Sequence, residues 1–150
     1  MVMSDRIALL HAGELEQVAP PQEIYRRPAT AYAAQFIGHT NLLVAEVREG
    51  TARCASLAWK THVPDGKVLF SLRPECIRLS GNPLQSVQLR ARVIDQSFHG
   101  ASELVRVQTS GGLILTVRSS DLGALRGEID LLFSGDDAVP VRGEAGPTPT

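Results

Sequence analysis

Between Asn41 and Arg142 apolar residues recur at every second position in short runs, and this alternation limits the possible folds more than any other feature. In "VQLRARV", Val87, Leu89, Ala91 and Val93 fall on one side while Gln88, Arg90 and Arg92 fall on the other. That is the period of a half-buried strand. "LVRVQT" alternates likewise, with Val105 and Val107 opposite Arg106 and Gln108. "LILTV" sets Leu113, Leu115 and Val117 on one face, "VLFSL" offers Val68, Phe70 and Leu72, and "IDLLF" offers Ile129, Leu131 and Phe133. The turn formers "PDGK", "SGNP", "HGAS", "SGG", "RGE" and "SGDD" separate these runs. Short strands at this spacing predict a small antiparallel barrel or sandwich that closes around its own inner face.

The stretch from Arg6 to Gly38 obeys another rule. "RIALL" and "ELEQV" flank "HAGE", a connection of hairpin length. Pro20 and Pro21 stop the second strand, and Pro21 suits the first turn of a helix, where its missing N–H would be unpaired anyway. Pro28 closes that helix. In "ATAYAAQFIG", Tyr32, Ala33, Phe36 and Ile37 make one helical stripe ending at Gly38. A lone hairpin is marginal in water. These faces therefore call for a partner, and protease is expected to cut first before about residue 39. The tail "GEAGPTPT" reads as disordered.

Charge excludes several functions. The formal net charge is −1 with no basic stripe, which argues against nucleic acid as a partner and against an OB-fold nucleic-acid binder. No apolar run approaches the roughly 20 residues that span a bilayer, and no secretory signal is visible. Cys54 and Cys76 form no CxxC pair and read as reduced thiols. His11, His39, His62 and His99 lack metal-ligand spacing and read as surface or loop residues, so no metal site is expected. No nucleophile elbow is present, and no catalytic residue is assigned.

The landmarks, taken in order, resemble one family. "SDRIALLHAGELEQVAPPQEIYRRPATAYAAQFIGHTNLL" is similar to the end of the nucleotide-binding domain in ATPase subunits of bacterial ABC importers for polyamines, iron, thiosulfate or sugars. The resemblance runs through Ser4, Asp5, Arg6, Gly13, Gln17, Pro21, Glu23, Ile24, Tyr25, Pro28, Phe36, Ile37, Gly38 and Asn41. "SLRPECIRL", with Arg73, Pro74 and Glu75, resembles the hallmark of the transport-associated OB-type (TOBE) domain that follows. The segments holding Gly100 and Gly127 match its later strands. Two departures stand out: Ala19-Pro20 replaces the family's Gly-Thr, and Cys76 replaces an acidic residue.

The resemblance implies a mainly β chain. Residues 1–39 would be the C-terminal remnant of an α/β ATPase domain, a β-hairpin and two short helices. Residues 40–143 would be a small OB-like antiparallel β-barrel, and 144–150 a disordered tail. The family's GxxxxGK[ST], LSGGQ, catalytic glutamate and preceding histidine do not occur in this sequence. No ATP hydrolysis is therefore expected of this chain, which reads as a fragment or as a late-started frame of a longer subunit. ATP and magnesium would belong to the parent subunit. Implied partners are the missing nucleotide-binding domain, a second copy in a homodimer, permease subunits and a periplasmic binding protein, at the cytoplasmic face of the inner membrane.

Three narrower readings complete the sequence view. Arg73 and Glu75 are expected in local pairs or solvent beside a strand break at Pro74. Trp59 is expected to pack at the barrel rim, and Tyr25, Tyr32 and Phe36 to serve interdomain packing. The alternative function is a stand-alone OB-like module binding a small oxyanion or other transported solute, with Ser110–Gly112 and Arg118–Gly123 as candidate oxyanion contacts.

Overall fold

A computed structural model describes residues 6–79, 87–99, 102–119 and 126–143. Ser4, Asp5, Gly100, the tail 144–150 and positions 120–123 of the Arg118–Gly123 candidate lie outside the described residues. Among the described residues no helix is long and apolar enough to cross a membrane.

The chain opens with strands β1 (Ile7–His11) and β2 (Glu14–Ala19), paired antiparallel. Ala12 and Gly13 both take positive φ between them, 52° and 80°. This is the two-residue turn whose twist matches paired strands, and Gly13 meets its second left-handed position without strain. Helices α1 (Pro21–Arg26) and α2 (Ala31–Ile37) follow. Pro21 occupies the first turn of α1, and Thr30 caps α2 by accepting from the Ala33 N–H.

The remaining strands make two antiparallel sheets. The first holds β11 (Val139–Val141), β6 (Gly66–Leu72), β3 (Asn41–Arg48), β4 (Thr51–Cys54) and β5 (Leu57–Lys60), in that order. The second holds β10 (Glu128–Phe133), β7 (Val87–His99), β8 (Ser102–Thr109) and β9 (Ile114–Ser119). Their inner faces share one core that includes Leu43, Val47, Phe70, Val105, Leu115 and Phe133. Every alternating run read from the sequence puts its expected side inward.

Two polar seams join the sheets. Past β6, Arg78 exchanges both backbone hydrogen bonds with Leu132 of β10 at 2.8 Å. On the other side Asn41, at the start of β3, uses its side-chain amide as a surrogate strand. Its Oδ1 accepts from the Thr116 N–H at 2.7 Å and its Nδ2 donates to the Thr116 carbonyl at 2.9 Å. Thr116 lies on edge strand β9, so these backbone groups have no further strand to bond within that sheet. The result is the mainly β, OB-like antiparallel barrel that the alternation and the resemblance predict.

Trp59 lies deeper than expected. It is 3% exposed within the core, edge-on to Phe70 and Phe133 at centroid distances of 5.2 and 6.0 Å. β5 pairs Trp59 with Ala52 of β4, and that register carries the indole inside rather than to the rim.

The opening segment is also covered more fully than its own sequence allows. Leu9, Ala19, Ile24 and Ala33 bury against one another between hairpin and helices. Ala31 packs on Leu69 and Val141 of the barrel. The stripe on α2 has a different phase from the one expected: Ala31, Ala33 and Ala34 face inward, while Phe36 is 61% exposed. Small side chains let the backbone of α2 approach the barrel closely, and a phenylalanine would hold it off. Leu10, Leu15 and Val18 remain exposed with Phe36.

Candidate functional site

The junction between helices and barrel rests on the outer face of β6. Period two sends Phe70 and Leu72 into the core and Leu69, Ser71 and Arg73 to the opposite side. That side is covered as well, and β6 reads as four consecutive buried residues at its end. Leu69 meets Ala31 and Val141, and Ser71 Oγ lies 2.6 Å from Thr40 Oγ1. Arg73 completes the row. Pro74 starts a short 3-10 turn, Pro74–Cys76, which swings the chain away and leaves the Arg73 side chain under both helices.

Arg73 is 6% exposed, which corrects its expected place in solvent or a local pair. Its Nε and Nη2 both donate to the Tyr25 carbonyl, at 3.1 and 3.0 Å. Its Nη1 donates to the carbonyls of Ala34 at 2.9 Å and His39 at 3.0 Å, with Gly38 at 3.4 Å. The guanidinium carbon sits 4.3 Å from the centre of the Tyr25 ring. The acceptors in α1, in α2 and just past it are carbonyls at helix C-termini, which lack intrahelical partners and carry the negative end of the helix dipole. One planar cation with five donors thus caps two helices at once. Burial pulls its pKa down to about 10, partly countered by Cys76, and the group stays charged at neutral pH.

Neighbouring residues fix the clamp. The Tyr25 hydroxyl donates to the Glu75 carboxylate, so the motif's acidic residue holds the ring on which Arg73 stacks. Gln17 pins the link between the helices, accepting from the Ala29 N–H at 2.9 Å and donating to the Arg27 carbonyl at 3.1 Å. Between these contacts Pro28 is buried. Thr30 forms a parallel bridge with Arg142: the Ala31 N–H donates to the Arg142 carbonyl at 2.7 Å, and the Arg142 N–H to the Ala29 carbonyl at 3.0 Å.

The fold therefore gathers Gln17, Tyr25, Pro28, Gly38, Arg73, Pro74 and Glu75 at one place. Asn41 serves the seam beside it. Arg6 and Phe36 are exposed, Gly13 sits in the hairpin turn, Pro21 and Glu23 begin α1, and Gly127 takes φ 71° before β10. None of these joins the clamp. Sequence reading missed Thr30, Thr40, Ser71 and Arg142. The available signal was Leu69, an apolar residue on a face that alternation assigns to water. Ala31, from the segment expected to be cut first, packs on Leu69.

Burial raises the pKa of both thiols, and for Cys76 the charges of Asp137 and Glu75 add to it, pushing the group from 9.0 up to about 11. Only the thiolate attacks an alkylating agent. Iodoacetamide at pH 8 should therefore modify Cys76 about a hundredfold more slowly in the folded chain than after denaturation. Mass spectrometry over a time course checks this, and equal rates in both states would refute it.

This geometry positions chain segments against one another. Comparison with known proteins gives the family. Residues 70–142 match the family described as the TOBE domain. The chain is 35% identical over 132 residues to the spermidine/putrescine import ATP-binding protein PotA of Roseobacter denitrificans, a match covering 81% of this chain and 36% of that protein. It is 37% identical over 120 residues to the sulfate/thiosulfate import ATP-binding protein CysA 2 of Chromobacterium violaceum, covering 75% and 33%. It is 36% identical over 109 residues to the sn-glycerol-3-phosphate import ATP-binding protein UgpC of Rhizobium meliloti, covering 73% and 30%. The later strands of the barrel thus carry the TOBE match. The chain belongs with the ATP-binding subunits of ABC importers, as their TOBE-bearing portion. It spans about a third of the length of these curated relatives.

Proposed function

We propose that this chain is the accessory module of an importer ATPase, coupling a nucleotide-binding domain to a TOBE barrel so that the two move as one body. The observation that carries the reading is Arg73, just past barrel strand β6, whose guanidinium ties the C-terminal ends of both helices to the barrel. Such a joint transmits rotation, because capping bonds fix both the direction and the distance of α1 and α2. The face bearing Leu10, Leu15, Val18 and Phe36 would lie against the nucleotide-binding domain. Further partners would be a second copy, permease subunits and a periplasmic binding protein, with the chain on the cytoplasmic side of the inner membrane. The solute is left open, since three relatives carry names for three different cargoes.

On this reading nucleotide chemistry lies outside the chain, which holds no cofactor itself. A phosphoryl-transfer site needs a phosphate cradle and a metal carboxylate, and the sequence has neither GxxxxGK[ST] nor LSGGQ. Calorimetry with magnesium and ATP should register no saturable heat with the 150-residue chain. Magnesium-dependent micromolar affinity would reject the accessory reading and assign the chain a nucleotide site of its own.

A further inference from the structure

The outer face of the four-stranded sheet contains a step. β7 begins at Val87, but its pairing with β8 begins only at Ala91 opposite Thr109. Beyond that pair β8 leaves through Ser110–Gly112, while β7 continues beside β10. The step opens a cleft of about 260 Å³ lined by Arg90, Arg92, Gln108, Ser110 and Glu128 over a floor of Ala91 and Thr109. Glu128, Arg92 and Gln108 form one cross-strand row over β10, β7 and β8.

The charges in this cleft are unevenly matched. Arg90 is engaged by Glu128 at 3.4 Å and Asp130 at 3.7 Å. The side chains of Arg92, Gln108 and Ser110 have no hydrogen-bond or ion-pair partner among the described residues. The open guanidinium fork accommodates a carboxylate through two parallel hydrogen bonds, and the amide and hydroxyl can fill its other lone pairs. Arg90 is matched by Glu128 and Asp130, so Arg92 is the lining cation left without a partner among the described residues. A single negative charge balances it, whereas a dianion would leave one charge uncompensated beside Glu128.

We infer that this cleft binds a small monoanionic carboxylate, with Arg92 as its anchor. The assignment stands on the cleft alone and holds whether or not the chain couples an ATPase domain. To test it, the 150-residue chain is titrated with sodium acetate, and separately with sodium sulfate, at constant ionic strength. NMR follows the arginine Nε–H, glutamine side-chain and Ser110 amide signals. Acetate should give saturating shifts confined to Arg92, Gln108 and Ser110, at a lower midpoint than sulfate. R92Q should weaken acetate binding about tenfold, a loss of about 1.4 kcal/mol. Arg92 is exposed, so the rest of the variant's spectrum should be unchanged. A non-saturating drift shared by all arginines, an equal response in R92Q, or a lower midpoint for sulfate would each overturn the assignment.

Discussion

Arg73→Ala should destabilise the chain by about 3 kcal/mol and expose the link between α1 and the barrel to protease. The substitution removes every donor that reaches Tyr25, Ala34, Gly38 and His39, and strands carbonyls in a buried junction. Hydrogen bonds from a charged donor contribute about 1.5–3 kcal/mol each, but bonds from one guanidinium do not add independently. Arg73→Lys keeps the charge and is expected to recover little. An ammonium is a point donor on a flexible stem and cannot serve Tyr25 and His39 together. Urea unfolding followed by fluorescence measures the loss. Limited proteolysis should then show new cuts between residues 26 and 40 with the barrel intact. A variant that unfolds at the wild-type midpoint would remove Arg73 from its central place.

Asn41→Ala is the second large effect, again about 3 kcal/mol. Asn41 is 7% exposed, and its amide meets both the N–H and the carbonyl of Thr116. Alanine would leave two backbone groups unpaired along a closed seam, which costs more than the net worth of the bonds themselves. N41D separates the two bonds. Its carboxylate still accepts from the Thr116 N–H but opposes the Thr116 carbonyl, so destabilisation at neutral pH should match that of alanine. That repulsion favours the protonated acid and raises the folded-state pKa of the variant, so its deficit should shrink as pH falls. Thermal unfolding of both variants between pH 4 and 8 (roughly the span over which a raised carboxyl titrates) tests the pair of expectations. A wild-type melting temperature for Asn41→Ala would contradict the seam.

The barrel was legible because strand alternation is a local signal. Val105, Val107, Leu115 and Phe133 needed only their own neighbours to declare a face. The clamp was not legible. Alternation sends Arg73 outward, and outward normally means water, where charged pairs contribute little. What covers it comes from Tyr25, Ala34 and His39, more than thirty residues earlier, and the acceptors are main-chain carbonyls that no side chain announces. α2 misled for a related reason. Its aromatic residues mark the obvious stripe, yet close approach to the barrel selects the alanines. Asn41 matched a family landmark, but its role depends on where β9 ends up as an edge, which is a property of the whole sheet.

The docking of the hairpin–helix segment on the barrel can be read most directly at two amides. The Ala31 N–H bonds to the Arg142 carbonyl and the Arg142 N–H to the Ala29 carbonyl, so both are sheltered only while the two parts are joined. Hydrogen exchange resolved by NMR on the unmodified chain should find these amides slowed together, by at least about a hundredfold over the unstructured rate. In Arg73→Ala both should speed up while Val107, within the barrel, stays protected. Exchange of Ala31 and Arg142 at the unstructured rate in the unmodified chain, with Val107 still slow, would mean the segment is not held there.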